Sequence, residues 1–319
     1  MSTDVERRPS PDLPRRQAGP NPQHLLVSLL GDFWTGLVEP IPSAALVALL
    51  QECGSTVHSA RAAINRLVQR GVLVRVRRGR ESHYHLAEAV VASGVRGLPR
   101  MMSFGGPAES GEEWDGSWVL VSITAPPDQA VQRRALRHRL RALGFGMLAE
   151  SVWIAPSTQQ QAAVELVSEL DVSAVVVHGA VVHPVTAGIL DVVKTWPTGE
   201  VRDEYEDFIT TYRPALEQAR KGLVTPADAF VLRAHLTDQW RGLYRHDPGL
   251  PHEVLPADWP RARAYELFAE LYDRLGPLAE LRCAQLVAPH AHPDMPPPRH
   301  YTIRGGFEAV LRRWDSAGG

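Results

Sequence analysis

The stretch STVHSARAAINRLVQRGVLVRVRRGRESHYHL, residues Ser55 to Leu86, decides how the rest of the chain is read. Ser55 can cap a helix by accepting a hydrogen bond from an otherwise unpaired backbone N–H. Gly71 stands where a left-handed C-terminal cap belongs. Between them Val57, Ala60, Ile64, Leu67 and Val68 recur at helical spacing and define one buried stripe. The remaining face carries His58, Ser59, Arg61, Ala62, Asn65, Arg66 and Gln69. Small hydrogen-bonding residues followed by arginines suit a helix that enters a groove and touches base edges. Val72–Val76 and Ser82–Leu86 then form a hairpin with the cationic tip Arg77-Arg78-Gly79-Arg80. A helix of this kind followed by a basic hairpin is the winged helix-turn-helix arrangement, which sets the helix in the major groove of DNA.

Charge supports that reading locally. Ser55 to Leu86 holds seven arginines against one glutamate, Glu81, whereas the whole chain carries a net charge of −2. Duplex DNA attracts cations through release of its condensed counterions, so a focal patch is what matters. The plainer alternative is a solvated basic face on an ordinary three-helix domain.

At 319 residues the chain suits two or three domains, and 44% hydrophobic with 22% charged residues is the composition of a globular protein. No apolar run approaches the roughly 20 residues that span a bilayer. The first residues, MSTDVERRPSPDLPRRQAGPNP, have no apolar signal-peptide core. Cys53 and Cys283 stand far apart without ligand spacing, so both read as small buried residues of a reducing cytoplasm.

Taken in order, residues 1–21 read as a disordered tail. Residues 22–88 hold three helices and the wing: one from Pro22 with Leu25, Leu26, Leu29 and Leu30 inward and Gly31-Asp32 as its end, one over Ala44–Glu52, and the groove helix. Residues 89–116 are glycine-rich and read as a helix end and a linker. Residues 117–198 follow the order β-α-β-β-α-β of a ferredoxin-like domain. Its strands lie at Trp118–Ile123, Gly146–Ala149, Ser151–Ile154 and Ala174–Val182, and its helices at Asp128–Leu143, capped by Asp128, and Gln159–Leu170. Residues 199–287 read as a helical effector and dimerisation domain. There Glu200–Lys221 is a helix broken at Pro214, Thr225-Pro226-Ala227-Asp228 a capping box, and Ala264–Leu275 an amphipathic helix. Residues 288–319 are a proline- and histidine-rich extension with a short helix over Phe307–Trp314. The fold class is therefore α+β.

Three stretches together resemble the PaaX-type transcriptional regulators, the repressors of phenylacetate-type aromatic catabolism. They are SARAAINRLVQRGVL with GRESHYHL; SWVLVSI, LRHRLRALGFGML and SVWIAP; and RAHLTDQWRGLYRHDPGLPHEVLPADWP with AYELFAELY. The most distinctive is the spacing Asp247-Pro248, Leu250-Pro251, Leu255-Pro256, Asp258-Trp259-Pro260. The resemblance implies a dimeric repressor whose affinity for DNA falls when an aryl-coenzyme A thioester binds.

Candidate contacts follow. Arg61 and Asn65 lie one helical turn apart with His58 and Ala62 beside them, so arginine can reach guanine O6/N7 and asparagine adenine N6/N7. Ser59 is assigned to the backbone side of that interface, Arg66 joins the DNA-contacting face, and Arg77, Arg78 and Arg80 are assigned to phosphate or the minor groove. For the effector, Arg233, Trp240 and Tyr244 fall on one helical stripe with Arg241 and Arg245 beside it. Guanidinium forks suit phosphate oxygens, and aromatic rings suit an acyl part. The competing reading pairs those arginines with Asp228, Asp238 or Asp247 and puts Trp240 in the core.

Arg133, Arg134, Arg137, His138, Arg139 and Arg141 crowd one central helix, which reads either as a second DNA-contacting surface or, more simply, as an exposed face on a sheet-covering helix. Trp118–Thr124 holds no carboxylate, which argues against a metal-dependent nuclease. His290, His292 and His300 with Asp294 are a poor metal set, and no nucleophile elbow, Walker A, zincin or dinucleotide motif occurs. The sequence thus points to a cytoplasmic homodimeric repressor that reads an inverted-repeat operator in double-stranded DNA, responds to a small-molecule effector and has no catalytic residues, metal or cofactor. The alternatives are a coenzyme A-thioester enzyme carrying a DNA-binding domain, and a regulator without an effector.

Overall fold

The computed structural model describes residues 21–34, 39–107, 114–179, 195–293 and 295–305. The anticipated tail over 1–20, the end of the strand at 180–182, Asp294 and the helix over Phe307–Trp314 lie outside them. The fold is α+β. Two compact units emerge, one from the described parts of 1–104, 210–242 and 265–319, the other from those of 105–209 and 243–264.

The first unit begins with α1 (Pro22–Phe33), β1 (Ile41–Pro42), α2 (Ser43–Glu52) and α3 (Val57–Gln69), followed by β2 (Leu73–Arg78), β3 (Glu81–Leu86) and α4 (Glu88–Ser103). Asn21, placed in the tail by sequence, caps α1 by accepting from the Gln23 N–H at 2.9 Å. Leu25, Leu26, Leu29, Leu30 and Phe33 of α1 meet Leu46, Leu49 and Leu50 of α2 and Ala60, Ala63, Ile64 and Leu67 of α3 in one core.

Burying one such leucine contributes roughly 1.5–3 kcal/mol. The helix ends at Phe33, one residue beyond the expected Gly31-Asp32 stop, with Asp32 itself buried. Ile41–Pro42 was not readable as a strand; it pairs with β3 (Ile41 opposite Tyr84), giving a sheet of order β1-β3-β2.

Residues 88–103 form a full helix despite Gly94, Gly97 and Pro99, where sequence suggested the start of a linker. Val90, Val91, Val95, Met101 and Met102 are buried on one side, and that burial outweighs the glycine and proline penalties. The first unit also holds most of α8 (Pro226–His246) and α9 (Arg261–Val287), and of α7 (Thr198–Arg220) the part from Thr210 onward; the remaining residues of the three helices belong to the second unit. Pro214 lies inside an unbroken α7, and α9 continues through Gly276-Pro277 well beyond the expected Leu275. Cys53 and Cys283 are free and buried, and burial pushes the Cys53 thiol up to about 12.

The second unit contains β4 (Trp118–Ile123), α5 (Ala130–Ala142), β5 (Gly146–Ala149), β6 (Val152–Pro156), α6 (Gln160–Leu170) and β7 (Ala174–Gly179). The sheet order is β5-β6-β4-β7, every neighbour antiparallel. Asp128 makes no side-chain cap; a short 3₁₀ turn at Pro127–Gln129 leads into α5 instead.

Period-two alternation sends Val119, Val121 and Ile123 to one face, where Leu136, Leu140, Ala163 and Leu166 of the helices cover them. Trp118 and Ile154 point to the other face, packed by Trp196, Leu250 and Leu255. The proline-rich motif around Asp247 is therefore the second lining of the sheet.

Candidate nucleic-acid interface

Thr56, not Ser55, caps α3: its hydroxyl accepts from the Ser59 N–H at 3.1 Å. Ala63 joins Ala60, Ile64 and Leu67 inside, while Val57 is 38% exposed and Val68 half-buried, so the buried stripe is narrower than the sequence suggested. His58, Arg61, Asn65 and Arg66 are all exposed on the outer face, and Ser59 is half-buried beside the cap.

Gly71 takes the left-handed conformation (φ 69°) that ends the helix and starts the hairpin. Pairs run from Leu73 opposite Leu86 to Arg78 opposite Glu81, leaving Gly79-Arg80 as the turn. Gly79 has φ 62°, a backbone conformation that a side chain would strain. Arg75, Arg77, Arg78 and Arg80 are exposed.

Two contacts here have no sequence signal. Arg75 donates across the hairpin to the Ser82 hydroxyl (Nη2 at 2.7 Å, Nε at 3.1 Å), which stiffens the ribbon. His292 lies against the hairpin, its ring nitrogens 3.3 Å from Arg78 Nη1 and its ring 5.1 Å from that of His83. Burial, then the neighbouring His292 and Arg78, hold His83 below the ordinary histidine range. Neutral, it suits the sheet interior. Among the described residues no cluster of three or more histidine, cysteine, aspartate or glutamate side chains could hold a metal ion.

Glu52 at the end of α2 receives Arg282 Nε and Nη2 at 2.8 and 2.9 Å, so the helix before α3 is braced by α9.

The five effector candidates separate. Arg233 is fully buried: Nε and Nη2 donate to Asp32 at 2.8 and 3.0 Å, Nη1 to the Tyr272 carbonyl at 2.5 Å, and Nη2 also to the Tyr301 carbonyl at 3.1 Å. Its guanidinium stacks 3.5 Å from the centre of the Tyr272 ring. With every arm engaged it has no face for an effector phosphate. The sequence placed it on the effector stripe because its true partner lies 201 residues away. Trp240 is also closed in, stacked on Phe268 at 4.3 Å and donating to the Met101 carbonyl at 2.9 Å. Arg241 and Tyr244 are half-buried and Arg245 exposed, on the last two turns of α8.

In the second unit Asp247 is a buried hub. It accepts from Arg261 Nε and Nη2 at 2.8 and 2.6 Å, from the Tyr205 hydroxyl at 2.8 Å and from the Gly249 N–H at 2.8 Å. Asp258, further along the motif, pairs with Arg202.

An α+β chain with a cationic helix-and-hairpin surface, a four-stranded antiparallel sheet and long C-terminal helices defines the class. Residues 21–90 match the family described as PaaX-like protein, 111–186 the PaaX protein central Cas2-like domain, and 196–284 the PaaX-like protein C-terminal domain. The chain belongs to the PaaX family. It is 30% identical over 261 residues to the Escherichia coli (strain K12) protein named Transcriptional repressor PaaX, covering 80% of each chain. In fold it is similar to the solved structure of the uncharacterized protein Rv0674 from Mycobacterium tuberculosis. That match has 22% identity and a TM-score of 0.52, with 81% of this chain and 96% of that one covered.

Proposed function

We propose that the protein is a transcriptional repressor that binds double-stranded DNA as a homodimer in the cytoplasm and lets go when an aryl- or acyl-coenzyme A thioester binds. In this reading residues 22–88 are a winged helix-turn-helix domain, with α3 in the major groove and the β2–β3 hairpin as the wing. Residues 117–198 are a ferredoxin-like domain, and 199–287 carry the effector response. The observation that carries the proposal is the outer face of α3, where His58, Arg61, Asn65 and Arg66 are all exposed beside a hairpin bearing four exposed arginines. The E. coli relative's name and the shared family point the same way.

Each residue's role follows from its chemistry. Arg61 and Asn65 read base edges. His58, Ser59 and Arg66 set the helix against the backbone, while Arg77, Arg78 and Arg80 neutralise phosphates. Arg61→Ala and Asn65→Ala should each cost about 1–3 kcal/mol of discrimination between operator and altered operator. Arg78→Ala should weaken all duplexes alike and flatten the salt dependence. Anisotropy titrations of fragments from the protein's own promoter would measure both. Unchanged affinity and preference in Asn65→Ala would remove α3 from the groove.

The effector part rests on the end of α8, where Arg241 and Arg245 can meet phosphates and Tyr244 offers an aromatic wall. Arg233 and Trp240 act in this scheme by joining α8 to α1 and α4 rather than by touching ligand; the Arg233–Asp32 pair and the Trp240–Met101 bond support this. A coupling free energy of about 1–3 kcal/mol would suffice to release operator. Calorimetric titration with phenylacetyl-coenzyme A should give weaker binding for Arg241→Ala than for the unaltered chain. Identical affinities would take Arg241 out of the effector site.

A further inference from the structure

The basic face of α5 has no task in the scheme above. The thirteen residues Ala130–Ala142 contain five arginines and a histidine and no carboxylate, in a chain whose net charge is −2. Two of the arginines are spent within the fold: Arg139 pairs with Glu169 at 2.8 Å, and Arg137 Nη2 donates to the Glu150 carbonyl at 2.9 Å. Arg141 stands over the Trp153 ring, 5.2 Å from its centre. Among the described residues no ion pair involves Arg133, Arg134 or Arg141.

Arg134, His138 and Arg141 are all exposed and stand at i, i+4 and i+7, so they share one stripe away from the buried Leu136 and Leu140. No carboxylate stands on α5 to neutralise Arg134 and Arg141. At about 1.5 Å of rise per residue, Arg134 and Arg141 lie about 10 Å apart along the axis. Successive phosphates of one DNA strand advance about 3.4 Å each, so the stripe spans about three of them.

We infer that the Arg134–His138–Arg141 stripe of α5 is a second duplex-DNA contact, engaging the phosphate backbone of the same DNA that α3 and the hairpin read. The inference rests on the DNA-binding reading and extends it to a sequence-independent anchor. Duplex DNA is the occupant that the charge fits: the stripe offers point and fork cations without the exposed aromatic rings that stack single-stranded bases.

The test is the salt dependence of binding to an operator fragment extended on both sides. R134Q/R141Q should lower the slope of log affinity against log salt by about 2 and weaken binding at moderate salt about tenfold. The ratio of operator to scrambled-sequence affinity should stay unchanged. R134K/R141K, which keeps the charge, should keep the slope. A slope in R134Q/R141Q equal to that of the unaltered chain would overturn the second contact while leaving the α3 reading intact. Absence of any saturable, salt-sensitive binding by the unaltered chain would instead overturn the DNA reading itself.

Discussion

Arg233→Ala should destabilise the first unit by about 3–5 kcal/mol, the range for removing one partner of a buried ion pair. Neither partner reaches solvent: side-chain exposure is 0% for Arg233 and 2% for Asp32. Burial opposes the charge on the guanidinium, and Asp32 and Tyr272 more than offset it, holding Arg233 above its ordinary value. Deleting the guanidinium leaves the Asp32 carboxylate with the Tyr272 hydroxyl as its remaining donor. The carbonyls of Tyr272 and Tyr301 lose their bonds from Arg233 as well.

The site is built around this side chain. A Cβ on Gly276 would stand 3.0 Å from Arg233 Nη1 and 2.5 Å from the His300 ring, so glycine in the middle of α9 is what makes room. Urea unfolding followed by circular dichroism would measure the loss. D32A/R233A should cost clearly less than the two single substitutions added together, because each single one strands a buried charge or donor. A loss under 1 kcal/mol for Arg233→Ala would show that the pair is not holding the helices.

That pair also marks the limit of what sequence discloses. Signals that act within a turn or two were readable. Thr225 caps its helix as expected, with the Asp228 N–H donating to Thr225 Oγ1 at 3.2 Å. Gly71 has the positive φ its position requires, and the groove helix and hairpin lie where their periodicities put them. Signals whose outcome depends on distant burial were not. Gly31-Asp32 marked the end of α1 to within a residue, but nothing local showed that Asp32 is buried and paired with Arg233. Gly94, Gly97 and Pro99 looked like a linker, yet apolar burial keeps them helical. Arg233 and Trp240 carried the residue types of a ligand site, and only three-dimensional packing shows their groups turned inward. On the candidate interface itself, the exposed arginines were legible from spacing. The approach of His292 to Arg78 was not, since 214 residues separate them.

The PaaX-like motif repeats the lesson in the second unit, because its spacing was recognisable and its physical reason was not. Asp247 accepts the Gly249 N–H, and Gly249 takes φ 66°, so Asp-Pro-Gly is a self-capped turn. The turn drops Leu250 into the sheet-facing core beside Trp118, Ile154 and Trp196. It also sits hard against Gly144, where a Cβ would meet the Pro248 carbonyl at 2.5 Å.

What locks the turn is Arg261, immediately after the motif, which grips both Asp247 oxygens and donates through Nη1 to the Leu250 carbonyl at 3.0 Å. Arg261→Ala should therefore cost about 3 kcal/mol. The low end of the range applies because Tyr205 and Gly249 still donate to the carboxylate. Arg261→Lys should recover little, since an ammonium cannot reproduce the planar fork that serves two carboxylate oxygens and a carbonyl together. Tryptophan fluorescence during urea unfolding reports on this unit through Trp118, Trp153, Trp196 and Trp259. If Arg261→Lys unfolds at the same urea concentration as the unaltered chain, charge alone secures the turn, and the fork geometry assigned to Arg261 is wrong.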